Sequence, residues 1–416
     1  MRDDSGLHGG IIAQNGYRHH MVFNPGDPVF LADPYPAFAA LRERGAVHFH
    51  DGMGLAVAVS HAACSEVLRD RSAGRLWTDK EPVEKFAAFN LLHRNSLLEN
   101  EPPRHTRLRR LIAAAFGRGH TERLRPWVRD LAGRMVDSLA AAIRADGSAD
   151  LLTHLAAPLP VEVIAELLGV PAADRSRLQP WSNAIVKMYE YGLPADQAAA
   201  AEAAAADFVS YLRALAADRA TAPGDDLVSD LVSVRDGGDR LTDDELVGTA
   251  VLLLMAGHEA TVNVIGNGMF ALLTHRSEWS RLVASPELLP TAVEELIRFD
   301  SPLQLFERTA VSATMVAGYE LAPGDRIAAL LGAAARDPLV FESPDRLDIG
   351  RTPNAHLGFG AGIHYCVGAP LARVEIAAAL EALATRLPGL RLAAVPKRRG
   401  EFVIRGLRTL PVTLTA

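Results

Sequence analysis

The sequence predicts a mainly α protein with a small β region and one long central helix. Three observations point there. Apolar residues recur at helical spacing through most of the chain. Thr242-Asp243-Asp244-Glu245 is a capping box, a hydroxyl residue followed three places on by Glu, and it opens an apolar run to about Thr274. Stretches that read as strands are few and short.

Taken in order, residues 1 to about 20 read as a flexible arm. They contain neither the apolar block of a signal peptide nor the ~18 apolar residues of a membrane span. His19 and His20 there read as solvated. Residues 21–416 read as a single domain. Helical periodicity covers Pro36 to Arg44, His61 to Arg69, His105 to Phe116, Thr121 to Arg144, Pro160 to Leu168 and Asp196 to Ala220. The Ala-rich stretch from 198 to 206 is a strong helix former. The helix opened by the capping box, at ~30 residues, would run ~45 Å and cross the whole molecule. Strand-like stretches lie at Ala46 to Val59, Thr314 to Tyr319, Asp325 to Leu331 and near the C-terminus. Breaks at Ala222-Pro223-Gly224 and Asp236-Gly237-Gly238 read as interhelical loops. No internal repeat is present.

Composition narrows the function. The chain is 49% hydrophobic and 22% charged, with a net charge of −7, which suits a globular protein and argues against nucleic acid as a partner. Its two cysteines, Cys64 and Cys366, differ in context and imply a reducing compartment without a disulfide framework. Cys64 falls in an amphipathic run and reads as a core thiol. A cytoplasmic monomer, not attached to a membrane, is expected.

Cys366 is the most informative residue. It lies in Phe359-Gly360-Ala361-Gly362-Ile363-His364-Tyr365-Cys366-Val367-Gly368, and a helical pattern from Pro370 to Leu387 follows at once. A thiolate is a strong, soft ligand for iron. Glycines at 360, 362 and 368 would let the backbone fold tightly beneath a flat macrocycle and aim N–H groups at the sulfur. The following helix N-terminus favours the thiolate. Against this stands the usual fate of a lone cysteine, a buried inert thiol.

The complete F-x-x-G-x-H-x-C-x-G spacing resembles the haem-binding loop of the cytochrome P450 family. The resemblance runs in family order from about residue 21 to 416 and is to the soluble bacterial type. It implies the cytochrome P450 fold, with the long central helix crossing over haem b, and Cys366 as axial thiolate and metal ligand. Phe359 and Gly368 then belong to the cofactor loop. His105 and Arg109, at i and i+4 on one helix face, would bind haem propionates together with Arg308 and His364, since guanidinium–carboxylate pairing suits that task. Glu295-Leu296-Ile297-Arg298 matches the family's E-x-x-R; with Arg346 as its third member it would lock the loop under the haem, a structural role.

The long helix carries Ala256-Gly257-His258-Glu259-Ala260-Thr261. By the same resemblance Gly257 lets the helix backbone approach the oxygen-binding face, Ala256 leaves room for O₂, and Glu259 relays protons. The family usually places Thr directly after that acid. Here the position is Ala260, and Thr261 comes one step later, turned by ~100°. The catalytic set is therefore Glu259, Gly257, Ala260 and Thr261, with the missing hydroxyl supplied by the substrate or by ordered water, or else with poor proton delivery tolerated. An inactive protein is the bland alternative.

The substrate pocket implied by the resemblance draws on Trp77, Phe86, Phe89, Met255, Ala256, Leu303, Phe306 and Phe402; the aromatic members would suit a flat guest or be ordinary core. Electrons would come from a ferredoxin and its reductase, because no flavin or NAD(P)H module is visible. Arg107, Arg110 and Arg373 are candidates for the docking face. The expected reaction is hydroxylation of a medium-sized secondary metabolite, with oxidative coupling of an aromatic substrate, such as a tryptophan-containing cyclic dipeptide, as alternative. A haem-binding sensor without oxidase activity is the rival from another class. A dinucleotide loop at Gly358 to Gly362 fails, because Ile363 stands where the third glycine should be.

Overall fold

A computed structural model describes residues 23–414 apart from 117–118, 191–192 and 235–237. The expected N-terminal arm lies outside the described residues. Helices dominate, and their bounds follow the sequence pattern closely. The periodic segments appear as Tyr35–Arg44, His61–Arg69, Arg104–Phe116, His120–Asp146, Pro158–Leu168 and Ala195–Thr221. The long helix is Asp243–Thr274, with the Thr242 hydroxyl accepting from the Glu245 N–H and the Glu245 carboxylate accepting from the Thr242 N–H.

That helix is the only described one long and apolar enough to cross a membrane, but 78% of its most apolar window is buried inside the protein. It is a core helix. Pro158–Leu168, Ala87–Arg94, Ala195–Thr221, Leu289–Phe299 and Ala369–Arg386 all pack on it. The main hydrophobic core surrounds it, with Val251, Leu254, Ile265 and Leu272 among the residues contributed.

The β region is small. Its largest sheet has five strands in the order Val47–His50, Leu55–Ala58, Arg326–Leu330, Leu305–Ala310 and Ala73–Gly74. Neighbours are antiparallel except Leu55–Ala58 and Arg326–Leu330, which run parallel and are buried throughout or nearly so. Shorter pairings, including Thr314–Val316 with Tyr319–Leu321 and the C-terminal Pro411–Thr413, make up the rest. Phe23, Phe30, Phe38 and Phe402 form an aromatic cluster beside the sheet.

Candidate active site

The Cys366 loop owes its path to two glycines. Gly360 and Gly362 hold φ of +71° and +69°, in the left-handed region. At Gly362 a Cβ would also meet the Leu68 carbonyl oxygen at 2.5 Å, so no other residue fits without backbone movement. The turn closes when Cys366 N–H donates to the Phe359 carbonyl at 2.9 Å. Backbone N–H groups of Gly368 and Ala369 then bond the sulfur. Gly368 itself has φ of −84°, which any residue adopts, so its contribution is the N–H. Burial pushes the Cys366 thiol up; these N–H groups and Arg109 oppose that without cancelling it.

Cys366 opens on a cavity of about 640 Å³. Phe359, His364, Gly368, Arg109 and Arg308 line it as well. Arg308 is buried, and its guanidinium donates to the carbonyl of its neighbour Glu307 at 2.9 Å. Burial, then Arg75, brings its guanidinium down to about 10. His105 is buried beside His364, ring centroids 4.4 Å apart, and its Nε2 has no partner among the described residues. Burial, then His364, lowers it to about 4, so it is neutral at pH 7. His364 bonds the Glu101 carboxylate at 2.8 Å. Two guanidinium groups without a carboxylate partner among the described residues, together with an orphaned imidazole nitrogen, ask for anions. A flat iron ligand with two carboxylates fits this set, with the thiol below it.

Glu295 and Arg298 lie on Leu289–Phe299, both fully buried, with two bonds of 2.7 Å between them. The guanidinium also donates to the carbonyls of Ala335 and Pro344 at 2.8 Å, tying down the segment that leads to the Cys366 loop. The third member differs from the expectation. Arg346 is exposed and offers only its carbonyl, 3.3 Å from Arg298. The second guanidinium on Glu295 belongs to Arg351, at 3.1 and 3.2 Å. Asp348 N–H and Asn354 complete the carboxylate's shell. The residue five places further along wins because it reaches inward as the chain turns.

On the long helix, Ala256, Gly257, Glu259, Ala260 and Thr261 all line the cavity. Ala256 and Ala260 are one turn apart and present methyl groups, so neither of these two positions offers a hydroxyl. Thr261 turns its hydroxyl back to the Gly257 carbonyl at 3.3 Å. Gly257 lines the cavity, and a Cβ there would also meet Ile164 Cδ1 and Cγ1 at 3.0 Å, so its smallness serves the crossing with Pro158–Leu168 as well. Glu259 is buried, with one oxygen 2.7 Å from Arg399 Nη1.

Residues 201–387 match the family model described as Cytochrome P450. The chain is 41% identical to cytochrome P450 monooxygenase PikC of Streptomyces venezuelae, over 92% of this chain and 91% of that one. The chain belongs to the cytochrome P450 family. It is 35% identical to the polyketide biosynthesis cytochrome P450 PksS of Bacillus subtilis (strain 168), over 95% and 99% of the two chains. Among solved structures it resembles P450BioI, crystallised with a fatty-acyl-ligated acyl carrier protein, with a TM-score of 0.87 and 31% identity over 93% of this chain and 99% of that one. As a P450 it is a haem-thiolate oxidoreductase that works with molecular oxygen.

The wall of this P450's cavity differs from the expected one. Met255, Ala256, Leu303 and Phe306 line it. Trp77, Phe86, Phe89 and Phe402 do not. Trp77 and Phe89 instead pack on His93, at centroid distances of 4.6 and 4.0 Å. Phe86 lies under the ammonium groups of Lys80 and Lys85. Phe402 joins Phe23 and Phe30, and its neighbours Val403 and Ile404 reach the cavity in its place. Asp300 holds that turn: Arg405 Nε bonds it at 2.7 Å, Arg398 at 3.0 Å and the Tyr35 hydroxyl at 2.7 Å. Sequence reasoning also missed Phe116, Tyr189 and the Arg75–Glu99 ion pair, all on the wall. No local pattern marks them, since each arrives from a separate loop or helix end. The expected docking arginines are engaged as well: Arg107 with Glu245 and Asp239, Arg110 with Asp239, and Arg373 with Glu294.

Proposed function

We propose that this P450 takes electrons from a ferredoxin and its reductase in the cytoplasm and hydroxylates a medium-sized secondary metabolite of the polyketide kind. The observation that carries the reading is Cys366, facing a largely apolar cavity of about 640 Å³ together with an alanine wall. PksS, named for polyketide biosynthesis, and mycinamicin IV hydroxylase/epoxidase of Micromonospora griseorubida, 43% identical over 77% of this chain, support the substrate class. Oxidative coupling of an aromatic guest loses the support expected from Trp77, Phe86 and Phe89. A sensor role gains none, because relatives carry monooxygenase and hydroxylase names.

The cofactor is read as haem b. Covalent attachment would need a C-x-x-C-H pair, and the chain's cysteines stand at 64 and 366, the former buried. Haem bound here would supply oxygen activation at iron. Cys366 would hold it from below, and Arg109, Arg308, His105 and His364 would hold its carboxylates. Ala256 and Ala260 leave space beside the cavity centre. The apolar wall of Leu252, Leu253, Val264 and Leu303 excludes water from the C–H bond under attack. Glu259 is the acid that the long helix sets beside Ala260 on the cavity wall, and Arg399, partly exposed, connects it to solvent.

Titrating polyketide macrocycles, smaller aromatic dipeptides and fatty acids into the holoprotein, and following the Soret shift, tests the class. Turnover with ferredoxin and reductase then reads the product mass. Gain of one oxygen atom in a macrocycle supports the proposal. Product from a dipeptide dimer without oxygen gain overturns it.

A further inference from the structure

His258 sits between Gly257 and Glu259, is wholly buried, and has no assigned task. Its Nδ1 is 2.9 Å from the Leu254 carbonyl oxygen. A carbonyl only accepts, so Nδ1 carries the ring proton and Nε2 presents a lone pair. That Nε2 has no hydrogen-bond partner among the described residues. It faces Oε2 of Glu259 at 3.9 Å. The other oxygen, Oε1, is 2.7 Å from Arg399 Nη1.

The Glu259 carboxyl is thus two-sided. Arg399 pairs with one oxygen. At the other, the unpartnered imidazole Nε2 and the carboxylate Oε2 stand 3.9 Å apart, and both are acceptors. Two lone pairs in that position repel, and a single proton between them would turn repulsion into a hydrogen bond. Arg399 and Glu259 are the charged groups that act on His258. Burial holds the imidazole below its usual range, so the neutral ring is its resting form.

We propose that His258 and Glu259 hold one proton in common, and that His258 is the positioning residue that lets Glu259 carry it. This rests on Glu259 being the proton donor to the cavity. With the proton on Oε2, a small rotation that closes the 3.9 Å gap lets the acid donate to His258 Nε2. Rotation of the side chain turns that oxygen to the cavity, the proton leaves, and the carboxylate remains on Arg399. One proton from water at the Arg399 edge reloads the pair; no electron moves and no heavy-atom bond changes. The device matters more in this chain than in a relative with a hydroxyl at position 260, because Ala260 supplies none.

The test uses the holoprotein in its reduced carbon monoxide form, labelled with ¹⁵N-histidine, with His258 assigned from the signals lost in His258→Phe. The proposal expects a neutral ring protonated at Nδ1, with an Nε2 resonance that moves when Glu259→Gln is introduced. A ring protonated at Nε2, or an Nε2 resonance indifferent to Glu259→Gln, overturns it. In turnover, His258→Phe should lower product formed per electron about tenfold, with haem content and substrate affinity held, and His258→Gln should recover part of the loss. If Glu259→Gln uncouples and His258→Phe does not, the His258 role falls and the Glu259 reading stands. If Glu259→Gln leaves coupling intact, both fall. Should His258→Phe fold poorly, His258→Gln provides the assignment and the turnover arm.

Discussion

Arg298 follows Glu295 by one helical turn and grips both of its carboxylate oxygens at 2.7 Å, with neither side chain exposed. Arg351 adds a second guanidinium to the same carboxylate from the far side. Carbonyls of Ala335 and Pro344 satisfy the rest of Arg298. The charges are buried but fully bonded, so removing one leaves the others exposed to the whole cost of burial.

Glu295→Ala should therefore cost about 3–5 kcal/mol and strip haem together with folded yield. Arg351→Ala should cost less, and Arg346→Ala should stay within about 0.5 kcal/mol. Thermal unfolding with the haem-to-protein ratio measures all three. An Arg346 variant as costly as the Arg351 variant would contradict the geometry.

Gly257→Ala gains helix propensity of about 1 kcal/mol but forces its methyl against Ile164, at 3.0 Å. Net destabilisation of about 1–2 kcal/mol is expected. In an Ile164→Ala background the clash disappears, and Gly257→Ala should become neutral or stabilising. A double-mutant cycle in chemical denaturation reads the coupling. Additive effects would show that Gly257 is small for the cavity's sake instead.

Most of the architecture was legible beforehand, and the reason is local. The capping box at Thr242 and the periodic runs fix helices within a residue or two of the observed ends. Cys366 was readable from its loop, and Arg109, Arg308 and His364 were named only through the resemblance to the family that the loop revealed. Arg351 and Ile164 were not. Each acts through a long-range contact made only once loop and helix have packed. The aromatic residues misled for a related reason: Trp77 and Phe89 carry no sign of whether they face a cavity or His93.

Stability at low pH should depend on Glu294. Burial raises this carboxyl, but bonds from Arg373 at 2.6 and 2.9 Å and from His356 at 3.1 Å outweigh it and hold it near 2, against an ordinary 4.5. A depressed acid stabilises the fold above its unfolded value, and that contribution fades as pH falls from about 4.5 to 2. The group is half-buried, so about 1–2 kcal/mol is at stake after solvent screening. Glu294→Gln should flatten this part of the stability curve; an unchanged slope would count against the ion pair.

Ala260 predicts that coupling depends on the substrate. If the substrate supplies the missing hydroxyl, an analogue without its polar group nearest the iron should bind and yet divert electrons to hydrogen peroxide. Ala260→Thr should reduce that waste. Peroxide yield per NAD(P)H, compared across native substrate and analogue, decides the point. Equal yields for both would leave water held near Glu259 as the proton path.

The central claim is that Cys366 is the thiolate beneath a haem in this cavity, and the reduced carbon monoxide spectrum tests it most directly. The wild-type protein should show the red-shifted Soret band of thiolate ligation, and Cys366→Ser should lose it while remaining folded by circular dichroism. A red-shifted band that survives in Cys366→Ser would contradict the account.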